Sequence, residues 1–268
     1  MPLLCIASPK GGVGKTTLTA NLADALRRRG RRVLAMDLDP QNALRLHFGV
    51  PLADRAGFGP ELARGGSWRG HIRQTAAGVA LLPHGTVDMA EALTLANALE
   101  RMPERLTGPV RELLADPSLI VVADLPPGPS RALDLIAPLS DMVMIVLLAD
   151  AHGAALMPEI DSGRFLGLGG LHGLQPGRLR LVLNQVDYGS RLSRAVAEAL
   201  ARHLGPRLLG AIAREDSVAE ALAAQRLVLE TAPACRAALD LRELGQAVAT
   251  ALPLPVEAPA AIGAWWAR

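Results

Sequence analysis

The chain has 268 residues, half of them hydrophobic and 3% aromatic, with a formal net charge of +2. This length suffices to bury a sizeable core as one large α/β domain, and arginines interspersed with acids argue against a generally basic nucleic-acid surface. Cys5 and Cys235, far apart in the chain, form neither a disulfide framework nor a metal knuckle. The longest apolar run, residues 142–149, is too short to span a bilayer, and no basic stretch precedes a long apolar one at the N-terminus, so the expectation is a soluble protein of a reducing cytoplasm.

Short apolar runs at residues 3–7, 33–36, 79–82, 119–123, 142–148, 179–183 and 208–212 predict strands buried on both faces. Helix-length segments separate them. That alternation predicts βαβ units: an α/β fold of three layers, with a mostly parallel central sheet flanked by helices and ligands beyond the carboxyl ends of the strands. No internal repeat is visible. Residues 163–177 (GRFLGLGGLHGLQPG) and the Pro/Ala-rich stretch from Pro253 depart in composition and are expected to be mobile surface elements. The domain is therefore placed at 1–252 and the tail at 253–268. Trp265 and Trp266 in that tail offer amphipathic contact area to a partner or membrane interface, with simple fraying the other reading.

The first predicted strand runs into SPKGGVGKTT, residues 8–17, which holds the only two lysines of the chain, Lys10 and Lys15. Arginine is a planar fork, whereas lysine is a compact point charge on a flexible stem that can enter a phosphate cradle. Gly11, Gly12 and Gly14 let backbone N–H groups wrap an anion, with Val13 between them, and a helix starting near Lys15 aims its positive end at the same place. In that cradle Lys15 reaches the β and γ phosphates, the Thr16 hydroxyl binds magnesium and Thr17 completes the binding stretch. The spacing G-x-x-x-x-G-K-[ST] asks for glycine at position 9, where the chain has Pro9. Lys10 lies outside this logic and is open to two readings, a solvated loop charge or a phosphate contact.

Strand 33–36 leads into Asp37-Leu38-Asp39-Pro40-Gln41. Asp39 can accept a hydrogen bond from an attacking water, or cap a helix over 41–48, while Asp37 reads as a structural acid. Strand 119–123 delivers Asp124 ahead of Leu-Pro-Pro-Gly128, either a magnesium-binding acid or a turn former. Asn184 places an amide at another strand end. The run Arg27 to Arg32 could touch acidic lipid or DNA, or simply end the first helix with Gly30 at the cap, where cations favour the helix dipole. The histidines show no metal-ligand spacing, and no Ser/His/Asp or Cys/His signature is present.

The form K-G-G-x-G-K-T-T resembles the deviant Walker A motif of the MinD/ParA family, in the SIMIBI class of P-loop NTPases. The resemblance implies ATP and Mg2+ as cofactors, a homodimer with ATP at its interface, and slow hydrolysis that works as a switch. It implies that Lys10 crosses to the partner's nucleotide, that Lys10, Lys15 and Asp39 are catalytic, and that Thr16, Asp39 and Asp124 attend the metal. Gly128 then corresponds to the second switch, Asn184 to the adenine contact and Ala213 to the adenine-side loop, where Ile212-Ala213-Arg214-Glu215-Asp216 lacks the family's proline. Three further stretches, DPQNALRLHFGV, GSWRGHIRQTAAGVALLPHG and IAREDSVAEALAAQRLV, resemble the BcsQ branch found in bacterial cellulose synthase operons. That branch implies a part in assembly or localisation of the cellulose secretion complex, with inner-membrane synthase subunits and cytoplasmic accessory proteins as partners. It also implies recruitment to the inner membrane or cell pole, peripheral membrane contact at most, and no nucleic acid. Cys5 and Cys235 do not match the cluster ligands of nitrogenase iron protein. A ParA-type DNA partition ATPase and a non-hydrolysing nucleotide-dependent scaffold remain the alternatives.

Overall fold

Successive residues of the first strand serve opposite layers: Leu3, Cys5 and Ala7 enter one hydrophobic cluster, Leu4 and Ile6 another. The period of two along a strand has this result when both faces are covered. The computed structural model describes residues 2–162 and 176–252, so the tail from Pro253 and nearly all of the glycine-rich stretch lie outside the described residues.

In chain order the elements are β1 (Leu3–Ala7), α1 (Lys15–Arg28), β2 (Arg32–Asp37), α2 (Phe58–Arg64), β3 (Arg73–Gln74), β4 (Ala80–Leu82), α3 (Met89–Arg101) and α4 (Glu104–Leu114). Next come β5 (Leu119–Asp124), α5 (Arg131–Ile136), β6 (Met142–Leu148), α6 (Ala151–Ala155), α7 (Met157–Asp161), β7 (Leu179–Val186) and α8 (Arg191–Leu204). The chain continues through β8 (Leu208–Ala213), α9 (Asp216–Ala223), α10 (Val228–Thr231) and α11 (Arg236–Ala251). The sheet order is β3-β4-β2-β5-β1-β6-β7-β8. Every pairing is parallel except that of β3 with β4.

One layer packs Phe58, Leu99, Leu106, Ile136 and Leu200 from α2–α5 and α8 on the sheet; the other packs Leu18, Leu22 and Leu26 of α1 and Leu241, Leu244 and Val248 of α11. Each fully buried aliphatic side chain contributes about 1.5–3 kcal/mol. The predicted three-layer architecture is therefore the observed one.

Several boundaries move, and the shifts bear on the site. β2, β5 and β7 extend to Asp37, Asp124 and Val186, so Asp37, Asp124 and Asn184 are held by sheet hydrogen bonds rather than by loops. The two-residue edge strand β3 escaped prediction because it is too short to show a period. The helix expected over 41–48 is a 3-10 turn, Leu44–Phe48. Asp39 Oδ1 accepts from the Gln41 amide and Asp37 Oδ2 from the Leu44 amide, while Asn42 sits at φ 52, so side chains shape a loop before any helix begins. The Arg27–Arg32 run acts locally. Arg27 and Arg28 both pair with the fully buried Asp24 at 2.7 Å, and Arg32 lies 3.2 Å from Asp116.

Candidate functional site

The loop between β1 and α1 is fixed at three points. Ser8 Oγ donates to the Lys10 carbonyl at 2.9 Å, the Gly128 amide donates to the Ser8 carbonyl at 2.8 Å, and Asn184 Nδ2 donates to the Val13 carbonyl at 2.8 Å. Gly12 and Gly14 take φ values of 77° and 80°, the left-handed region that glycine enters without steric cost. A Cβ on Gly11 or Gly12 would point into open space, whereas one on Gly14 would stand 2.4 Å from Asn184 Nδ2. The open concavity of this loop, ahead of the α1 N-terminus, is the shape a phosphate group fills.

Lys15, 6% exposed, lies under the loop. Its ammonium donates to Asp124 Oδ1 at 2.8 Å and stands 3.8 Å from Asp39 Oδ2. Thr19 Oγ1 donates to the same Asp124 oxygen at 2.9 Å. Asp37, paired in register with Asp124 across β2 and β5, accepts the backbone amides of Asp39 and Leu44. Two aspartates thus face one lysine, and Asp37 lies beside Asp124 on the neighbouring strand. Burial, reinforced by the neighbouring Asp124, pushes the Asp37 carboxyl well above the usual range; burial also raises Asp124, against the opposing pull of Lys15.

Asp124 Oδ2 is buried without a protein hydrogen-bond partner, and the Thr16 hydroxyl borders the same carboxylate. A surplus of negative charge, an orphaned carboxylate oxygen and a neighbouring hydroxyl suit a hard divalent cation such as magnesium. Among the described residues no three His, Cys, Asp or Glu side chains form a metal cage by themselves. That also suits magnesium, which usually takes one or two protein oxygens and completes its shell with phosphate and water.

Two cavities adjoin the loop. The first, about 260 Å³, is lined by Gly11 to Thr17, Lys10, Asp39, Gln41 and His47. The second, about 310 Å³, is lined by Asn184, Gln185, Ile212, Ala213, Asp216 and Leu241 among others. Gly14, Thr17 and Leu222 belong to both walls, so a ligand with an anionic end and a flat apolar end can lie across them.

The loop residues Lys10 to Thr17, with Asp39, Asp124, Asn184 and Ala213, lie around the loop and its two cavities, though not always in the expected attitude. Asn184 spends an amide hydrogen on the loop carbonyl of Val13 while lining the second cavity. Ala213 forms wall there, its amide turned away to Asp240 Oδ2 at 2.8 Å. Lys10 folds back on its own chain, 3.6 Å from Asp150 Oδ2, and keeps about a third of its side chain exposed. Sequence reasoning missed Asp150, whose other oxygen caps α6 by accepting from the Gly153 amide. It also missed His47, 3% exposed, whose Nε2 lies 3.4 Å from Thr17 Oγ1. Burial pushes its imidazole down to about 4.

A sheet that delivers a glycine-rich phosphate loop from β1 and a carboxylate from the neighbouring β5 is that of a P-loop nucleotide hydrolase. The fold agrees: the structure of the septum site-determining protein MinD complexed with Mg-ADP, from Pyrococcus horikoshii OT3, superposes with a TM-score of 0.71 over 92% of this chain and 95% of that one, at 23% identity. The family model described as Cellulose biosynthesis protein BcsQ matches residues 1–248, and the chain belongs to that family, within the MinD/ParA ATPases. It is 26% identical to Cellulose biosynthesis protein BcsQ of Escherichia coli (strain K12) over 236 residues, 86% of this chain and 87% of the relative. It is 32% identical to the chromosome-partitioning ATPase Soj of Thermus thermophilus over 259 residues, 91% and 94% of the two chains.

Proposed function

We propose that this protein binds ATP with magnesium, closes into a homodimer over the nucleotide, hydrolyses it slowly, and in that cycle helps assemble or localise a bacterial cellulose synthase complex. The observation that carries the reading is the pair of lysines on one cavity. Lys15 is buried against carboxylates, and Lys10 stands at the mouth, held only by a half-exposed carboxylate. Lys15 exchanges its aspartate partners for the phosphates, and Lys10 leaves Asp150 for the nucleotide of a second subunit, a positive charge supplied in trans. Magnesium, when bound, neutralises developing charge on the phosphates; Thr16 and Asp124 hold it, and Asp39 borders it. Asp39 also orients the attacking water, Asn184 and Ala213 frame the base, and the backbone from Gly11 to Gly14 cradles the phosphates.

Membership of the cellulose-associated family supports the assembly role, with inner-membrane synthase subunits and their cytoplasmic accessory proteins as partners. Among the described residues no helix is long and apolar enough to cross a membrane. The 32% identity to Soj favours DNA partition as the second reading.

Analytical ultracentrifugation of wild type and Lys10→Ala with ATP tests the dimer. The variant is expected to bind ATP as a monomer, and wild-type dimerisation by Lys10→Ala refutes the trans role. Affinity capture with Asp39→Ala, trapped with ATP, separates the two cellular roles. Recovery of cellulose synthase subunits regardless of nuclease supports the first, and loss of all partners on nuclease treatment supports partition.

A further inference from the structure

His47 lies inside the stretch DPQNALRLHFGV but carries no role in the phosphate-loop or switch motifs, yet it is one of the most deeply placed polar side chains of the site. It lies on the 3-10 turn Leu44–Phe48, which packs against α1 and α9, and is 3% exposed. Its Nε2 is 3.4 Å from the Thr17 hydroxyl, a long contact, and both residues line the same cavity. Thr17 and Leu222 border both cavities, whereas His47 borders only the one that also holds Lys10, Lys15 and Asp39. A nucleotide laid across the two places its terminal phosphates by Lys15 and its base by Asn184. Between them, on the phosphate side of Thr17, comes the α-phosphate.

We infer that His47 is a further nucleotide-binding residue, its Nε2 donating to the α-phosphate side of the bound nucleotide. The inference rests on the reading of this site as a nucleotide site. Burial keeps the imidazole neutral near pH 7, so the ring carries one N–H donor and one acceptor nitrogen. A neutral donor suits the position: it binds a phosphate oxygen without adding a third cation to a cavity that already has Lys10 and Lys15. The 3-10 turn lies just beyond Asp39 in the chain and is tied to Asp37 through the Leu44 amide. Engagement of His47 thereby ties the α-phosphate to the segment that carries the water-orienting acid.

Calorimetric binding of Mg-ADP and of magnesium pyrophosphate to the full chain tests this, in wild type, His47→Leu and His47→Gln. Pyrophosphate, without a base to draw it toward Asn184, is expected to settle on the two subsites nearest Lys15. His47→Leu is expected to weaken ADP binding by about tenfold and pyrophosphate binding by less than about twofold, the loss of one hydrogen bond to a charged group. His47→Gln, whose amide nitrogen reaches the place of Nε2, is expected to recover most of the loss. In the wild-type protein the ¹⁵N resonances of the His47 ring should move with Mg-ADP and stay in place with pyrophosphate, a readout independent of how well either variant folds. Unchanged ADP affinity in His47→Leu, equal losses for both probes, or ring resonances indifferent to ADP would overturn the inference. Failure of the wild-type protein to bind either probe would overturn the nucleotide reading, and the role of His47 with it.

Discussion

Replacing Lys15 with methionine keeps the stem and removes the charge, leaving Asp124 without its cation in the nucleotide-free protein. The ammonium and Asp124 Oδ1 are 2.8 Å apart, with side chains 7% and 0% exposed. At an effective dielectric of 20 their gross attraction is about 6 kcal/mol, most of it offset by the desolvation of both ions. Removing one partner leaves the other buried and uncompensated, which costs about 3–5 kcal/mol, a large share of the roughly 5–15 kcal/mol that holds a domain together. The expected fall in melting temperature is roughly 10 °C. The loss has a pH signature. Burial already raises Asp124, and without Lys15 it rises further. A carboxyl raised in the fold favours folding while protonated, and that contribution is lost as pH climbs through the raised value. The deficit of Lys15→Met is therefore greatest at alkaline pH and shrinks on acidification, and Lys15→Met/Asp124→Leu should regain much of it. Thermal unfolding without nucleotide at several pH values is the assay. A variant as stable as wild type at pH 8, or a deficit that does not shrink in acid, would refute the buried-pair argument.

Two further outcomes are expected. Gly14→Ala places a Cβ 2.4 Å from Asn184 Nδ2 at φ 80° and should lose about 2 kcal/mol of stability together with ADP binding, whereas Gly11→Ala, whose Cβ meets nothing within 4 Å, should lose binding alone; denaturant midpoints and calorimetry separate the two. His47, depressed from 6.5 to about 4, stabilises the fold above pH 6.5, and that contribution is lost as pH falls towards 4 because the unfolded chain takes up the proton first. The wild type should therefore lose roughly 3 kcal/mol relative to His47→Gln across that window, measured by urea unfolding, while Asp37 and Asp124 push both proteins the opposite way and cancel in the difference.

The legible part of this protein was local in the chain. Apolar runs of strand length with helices between them dictate a parallel sheet, because strands buried on both faces read as unbroken hydrophobic stretches. The Gly11–Gly12–Gly14 pattern ahead of Lys15 dictates an anion cradle, since backbone torsions and a helix N-terminus depend on a few adjacent residues. The limits of local reading fall at particular residues. The 3-10 turn at Leu44–Phe48 took the place of a helix because Asp37 captures the Leu44 amide that a helix would have used and Asn42 takes a left-handed φ of 52°. Asn184 was legible as an amide at a strand end, but its bond to the Val13 carbonyl, 171 positions away, was not.

Sequence alone thus determined the layers, the phosphate loop and the acids able to serve it. Tertiary structure alone decided the sheet order that sets β5 beside β1 and so brings Asp124 to Lys15 across 109 residues of chain. It decided too that Lys10 rests on Asp150 and that His47 closes the cavity wall. Residue spacing encodes backbone torsion and periodicity, whereas the partner a buried charge finds depends on which elements the packing of two hydrophobic layers sets side by side.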